Sequence, residues 1–139
     1  MIKDSKIQLF LRNLLLDSLE ANSIDVPVLF EGTTKDNLGD TFIVEQLIPK
    51  TEEAWSDRVE KGNGLYKLTV FSDIGKGLYL TNIVDVIREA FSLGEYVVDK
   101  TENIMLVINN PIPSSIIYEK SSDKMQKSVT VSYTKFKSI

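Results

Sequence analysis

The sequence predicts an α+β fold: a mostly antiparallel β-sheet with two main amphipathic helices packed on it, as one domain spanning residues 1–139. Three observations predict it. Apolar residues recur at helical spacing in two stretches, Ile7 through Leu15 and Leu80 through Phe91. Elsewhere apolar and polar residues alternate with the period of two that a half-buried strand requires. The elements also run helix, strands, helix, strands rather than as alternating strand–helix units, which favours antiparallel pairing. A chain of 139 residues is long enough to hold a core without covalent staples.

The elements follow in order. Ser5 opens the first helix, with Gln8 three residues on as its partner in a capping box. Ile7, Phe10, Leu11, Leu14 and Leu15 form its apolar stripe, Arg12, Asn13, Asp17 and Glu20 take the other faces, and Asn22 and Ser23 stop it. Residues 26–30 read as a short strand; Pro27 cannot donate to a ladder, so this strand belongs at an edge. Residues 32–40 are a polar loop, and 42–48 are a central strand ended by Pro49. Residues 54–61 are a further strand, with Trp55, Asp57 and Val59 on one face. Lys61-Gly-Asn-Gly64 then forms a turn, Asn63-Gly64 being a hairpin signal because both residues tolerate positive φ.

The central unit is residues 64–91. Tyr66, Leu68 and Val70 face one way and Lys67 and Thr69 the other. A glycine-containing turn, Gly75-Lys76-Gly77, leads into a helix whose stripe is Leu80, Ile83, Val84, Ile87 and Phe91, with Gly94 expected as a left-handed cap. Residues 96–99 and 104–108 are strands, and Asn109-Asn-Pro-Ile-Pro113 breaks the second. Residues 116–119 and 128–136 form a final antiparallel pair, joined by a polar, mobile loop over 120–127.

Composition removes several function classes. There is no cysteine, which excludes disulfides and thiolate chemistry, and no histidine, which removes the commonest general base and nitrogen ligand. The net charge of -4 comes from interspersed acids and bases, unlike the clustered Lys and Arg of a nucleic-acid binder. No apolar run is long enough to span a bilayer, and the start lacks a signal-peptide pattern, so no membrane is expected. Gly75-Lys76-Gly77 lacks the Walker and dinucleotide patterns and reads as a tight turn. Asp36-Asn37-Leu38-Gly39-Asp40 lacks the regular ligands and closing glutamate of a calcium loop. Glu52, Glu53, Asp57 and Glu60 read as an exposed acidic face rather than a buried acid–base pair. No catalytic residue, cofactor site or metal site is expected.

The remaining candidates are contact residues. Trp55, the only tryptophan, is flanked by charge and followed by Arg58; tryptophan and arginine are favoured at interface hot spots. Tyr79 and Val86, a heptad apart beside the second helix's stripe, either widen the core face or form a second face against another subunit. With Lys76, Glu52 and Glu53, these complete the interface candidates: Trp55, Arg58, Tyr79, Lys76, Glu52 and Glu53.

The central stretch resembles the phage tail terminator family, also called tail completion or minor tail U-like proteins. The resemblance rests on Gly64-Leu-Tyr66, Val70-Phe71, Gly75-Lys-Gly77 and the helix from Ile83 to Phe91, with the early helix and the strands before Gly64 in the same order. Ser72-Asp73-Ile74 stands where the family usually has a proline after the aromatic residue. The resemblance implies a structural virion protein at the head-proximal end of the tail, assembled in the host cytoplasm. Six copies would form a ring that halts tube polymerisation and offers a surface to head-completion or connector proteins. It implies no catalysis and no cofactor. The partners would be other copies, the tail tube protein and the connector, with DNA passing through the lumen without sequence-specific binding. A head-to-tail ring needs two different self-contacting surfaces, and the acidic balance suits a channel through which DNA slides. Two alternatives stay open: a head-completion or connector adaptor, and a small-ligand-binding α+β domain. Mass in solution separates them. A hexamer fits the terminator, a twelve-fold ring the adaptor, and a monomer with a ligand-induced melting shift the third.

Overall fold

A computed structural model describes residues 2–32, 38–56, 58–119 and 123–138, with backbone alone for 51–56 and 119. Its elements are α1 (Asp4–Ala21), β1 (Val28–Leu29), β2 (Phe42–Ser56), β3 (Val59–Asp73), α2 (Gly77–Ala90), β4 (Gly94–Asp99), β5 (Ile104–Ile108), β6 (Ile112–Pro113), β7 (Ile117–Glu119) and β8 (Lys124–Ser138). The fold is α+β. All eight strands join one sheet, ordered β1-β2-β3-β8-β5-β4, with β6 and β7 also paired to β8. Every pairing is antiparallel except that of β1 with β2.

The alternation in β3 carries through its whole length: Tyr66, Leu68 and Val70 are fully buried, and their neighbours are half-buried. They meet Val129, Val131 and Tyr133 of β8, Ile43 of β2, and Ile104, Leu106 and Ile108 of β5. Above this face α1 lays Ile7, Leu11, Leu15 and Leu19, a row at i, i+4 spacing. Alongside, α2 lays Leu80, Ile83, Val84, Val86 and Ile87, and Phe91 stands edge-on to Tyr66 at 5.7 Å. Burying side chains of this size contributes about 1.5–3 kcal/mol each.

β8 lies between β3 on one side and β5, β6 and β7 in succession on the other. Its first residues, Lys124 through Lys127, fall within the predicted mobile loop but are ladder-paired to β3 and β7; residues 120–122 lie outside the described residues.

The predicted turn at Lys61-Gly-Asn-Gly64 does not form. β2 and β3 pair from Phe42↔Phe71 out to Ser56↔Val59, so the chain reverses between Ser56 and Val59, inside the strand expected over 54–61. Asn63 and Gly64 sit in mid-strand, paired to both β2 and β8. Strands on both sides satisfy this backbone, and that outweighs a local turn preference. Nor does Pro49 end β2. It sits beside a register shift, beyond the reach of β1, where a missing N–H breaks no ladder bond.

Two caps also differ from expectation. The residue before α1 is Lys3, with no side-chain cap; Ser5 lies inside the helix, and Gln8 bonds to Glu31 and Glu45 instead. Gly94 opens β4, and α2 ends at Phe91 with negative φ. The C-terminal stop of α1 is as expected: Asn22 donates its side-chain amide to Ser18 O, and Ser23 takes φ 56.

Tyr133 Oη is buried beside Gly64 with no hydrogen-bond partner. Burying a hydroxyl without a partner is unfavourable. Tyr133→Phe is therefore expected to leave stability unchanged or raise it by up to about 1 kcal/mol. Chemical denaturation checks this, and a clear loss would mean that the hydroxyl has a partner in solution.

Candidate functional site

The sequence-predicted contact residues separate to opposite ends of the sheet. Arg58 is exposed at the reversal between β2 and β3, and Lys76 and Tyr79 lie at the start of α2, beyond the far end of β3. Fifteen residues of strand span roughly 45 Å. No single contact therefore unites the six candidates. The backbone of residues 52, 53 and 55 lies near Arg58's end of the hairpin, but the side chains of Glu52, Glu53 and Trp55 lie outside the described residues.

At the α2 end, Gly75 takes φ +104, a conformation glycine adopts without strain, and this reverses the chain from β3 into the helix. Lys76 Nζ pairs with the Asp40 carboxylate. Lys124 Nζ donates to Asp73 Oδ1 at 2.6 Å and to Asp40 O at 3.1 Å. Asp40 accordingly titrates below the usual carboxylate range, chiefly through its hydrogen bond from Lys76. These bonds tie the end of the loop before β2 to the turn before α2. The turn is a braced junction, in keeping with the tight turn expected at Gly75-Lys76-Gly77. Beside it Leu78 is 88% exposed and Tyr79 40%, along a shallow groove of about 640 Å³ that Asn82 completes. Val86, the heptad partner of Tyr79, is buried, so the two do not form a shared outer face.

The strongest electrostatic feature is one the sequence reading passed over. Glu45, near the start of β2, points under α1 with its carboxylate fully buried. Arg12 clamps it in a fork, Nη2 to Oε1 at 2.7 Å and Nε to Oε2 at 3.0 Å. Gln8 Nε2 donates to Oε1 at 3.0 Å, and Tyr66 Oη to Oε2 at 2.5 Å. Burial alone would raise the Glu45 pKa, but the hydrogen bonds from Arg12 and Tyr66 outweigh it and hold it below the ordinary value. Burial, and then the Glu45 carboxylate, push Tyr66 far above the usual phenol range. Arg12 also stacks over Phe30, 4.2 Å from the ring centroid. With both oxygens committed to protein donors, this carboxylate is a structural tie rather than a free acid or base. The sequence did carry a signal: Glu45 shares strand parity with Ile43 and Leu47, so a charge stands on the core face.

Among the described residues no group of three or more acidic, histidine or cysteine side chains could hold a metal ion. No helix there is long and apolar enough to cross a membrane.

No known protein-family model matches the sequence, and no curated protein is similar to it. Solved structures are similar in fold. One, whose name describes no function, aligns with a TM-score of 0.65 at 14% identity over 100% of this chain and 97% of its own. Another, from the virion of a native gene transfer agent (GTA) particle, aligns with a TM-score of 0.55 at 10% identity over 88% of this chain and 91% of its own. At these identities the likeness is one of fold.

Proposed function

We propose that this chain is a structural subunit of a phage-like virion, and within it a tail terminator: one subunit of a sixfold ring that caps the tail tube, stops its growth and offers the head-joining surface. One observation carries the virion reading: the fold is similar, across nearly the whole of both chains, to a subunit of a gene transfer agent virion. The position at the tail end rests on the resemblance of residues 64–91 to the terminator family. Two structural features agree with it. The buried carboxylate is saturated by its own protein's donors, which favours a role by shape over one by catalysis. The α2 end also exposes large apolar side chains, as a subunit that packs against others requires.

The test is deletion of the gene from the particle that encodes it, read by electron microscopy. The terminator reading expects tails of uncontrolled length not joined to heads. A connector adaptor would instead leave free tails of normal length beside tailless heads. Normal-length tails attached to heads would overturn both. A separate prediction concerns the lumen. Reversing Glu52 and Glu53 to lysine is expected to slow DNA ejection and lower infectivity, because cations retain phosphates. If neither changes, these two residues do not line the channel.

A further inference from the structure

An edge strand presents a row of backbone N–H groups that another extended chain can pair with. β2 is fifteen residues long, and on its outer side it has only the two-residue β1. Ile43 N donates outward, to Pro27 O at 2.9 Å. The direction alternates from residue to residue, so positions 43, 45, 47 and 49 turn their nitrogens to this edge.

All four positions are closed. Pro27 takes Ile43. The parallel register then gives the Glu45 N–H to the Leu29 carbonyl. The Leu47 N–H would next meet the main-chain carbonyl of residue 31, but the chain turns off at Gly32, with φ 82. Leu47 N donates instead to the Glu31 side chain, Oε2, at 2.7 Å. A carboxylate thus takes the place of a strand carbonyl, one step past the end of β1. Position 49 is proline and has no N–H to offer. The further ties of residues 27–31 include two to α1: Gln8 Nε2 donates to Glu31 Oε2 at 3.3 Å, and Arg12 lies over the Phe30 ring.

We propose that residues 27–31 are a strap that keeps the outer edge of β2 closed to other chains, with Glu31 as its end piece and Pro49 as the stop beyond it. Lifting the strap uncovers donors at every second residue, the spacing with which an added strand pairs. In a purified sample the strands on offer are the same edges of other copies. The inference rests on the backbone ladder and is independent of the virion reading.

The test combines amide hydrogen exchange at Leu47, read by NMR on the full chain, with sedimentation velocity over a concentration series. Glu31→Ala removes the acceptor, and Glu31→Gln keeps one. Pro49→Thr restores a donor to the edge without touching the strap. In Glu31→Ala, Leu47 should exchange about tenfold faster than in wild type, and the mass should rise above the wild-type value at equal concentration. Glu31→Gln should match wild type in both readings. Pro49→Thr should gain mass with Leu47 exchange unchanged. Glu31 and Pro49 are both exposed, so cooperative melting should persist. If Glu31→Ala nevertheless fails to melt cooperatively, Pro49→Thr alone decides the association. Unchanged exchange at Leu47 in Glu31→Ala would overturn the strap, and faster exchange without added association would overturn the closure. Glu31→Gln behaving like Glu31→Ala would assign the effect to charge rather than to the hydrogen bond, and would overturn it as well.

Discussion

Replacing Glu45 with alanine is expected to destabilise the chain by about 3–5 kcal/mol, the range for breaking a buried ion pair by removing one partner. The substitution strands the Arg12 guanidinium and the Tyr66 hydroxyl, both of which Glu45 now accepts. Arg12→Ala should cost a similar amount, since it leaves the carboxylate buried without its counter-ion. The double variant should cost clearly less than the two single losses added together, because each single change already breaks the shared bond. The pH dependence follows from the signs. Glu45 titrates lower in the folded chain than in the unfolded one, where its pKa is about 4.3. Its contribution is therefore fully present above that value and is lost as pH falls through the folded value. Tyr66 titrates higher in the folded chain, so its contribution is complete below about pH 10 and is lost as pH rises through the folded value. Urea denaturation from pH 3 to 7 checks the acid arm. If the Glu45→Ala deficit is the same at both ends of that range, the ionised pair is not what holds β2 to α1.

The second large effect is expected at Gly64. In the ladder it stands directly opposite Tyr133, and the ring lies over it. A Cβ built there would overlap the hydroxyl and ring and lie 2.9 Å from Cε1, closer than real Cβ atoms approach anything. Tyr133 is 1% exposed and packed in the core, so it has no solvent to swing into. Gly64→Ala should cost about 1–3 kcal/mol, the usual range for overpacking, and lower Tm by roughly 4–12 °C. Tyr133→Leu in the same chain should recover part of the loss by removing the ring that the new methyl strikes. An unchanged Tm in Gly64→Ala would show that the ring does not cover this glycine.

These two positions mark where the sequence could and could not be read. The α+β class, both helices and the strand over residues 66–70 were legible because apolar periodicity reports directly which side of an element is buried. Asn63-Gly64 was misread because two glycines flanking an asparagine look alike whether the backbone turns or something presses against it. Only Tyr133, sixty-nine residues later in the chain, distinguishes the cases. β6 went unseen because two residues, one of them a proline, carry no period, and β8 was read short because Lys124 and Lys127 look like loop. The contact candidates were chosen by residue type, and type says nothing of which end of the sheet a residue occupies. Leu78 was passed over because it lies off the buried stripe of α2, which is also why it is exposed.

The placement of β8 bears on how the chain reaches this structure. It is the last of the eight strands to leave the ribosome, yet β3, β5, β6 and β7 all need it for their ladders. Until it emerges, the earlier strands wait with unsatisfied edges, and the slowest loop closures come only after residues 124–138 are made. Nascent chains crowded on one messenger would then be sticky toward each other, and a stop codon before residue 124 would yield aggregate rather than a smaller folded protein.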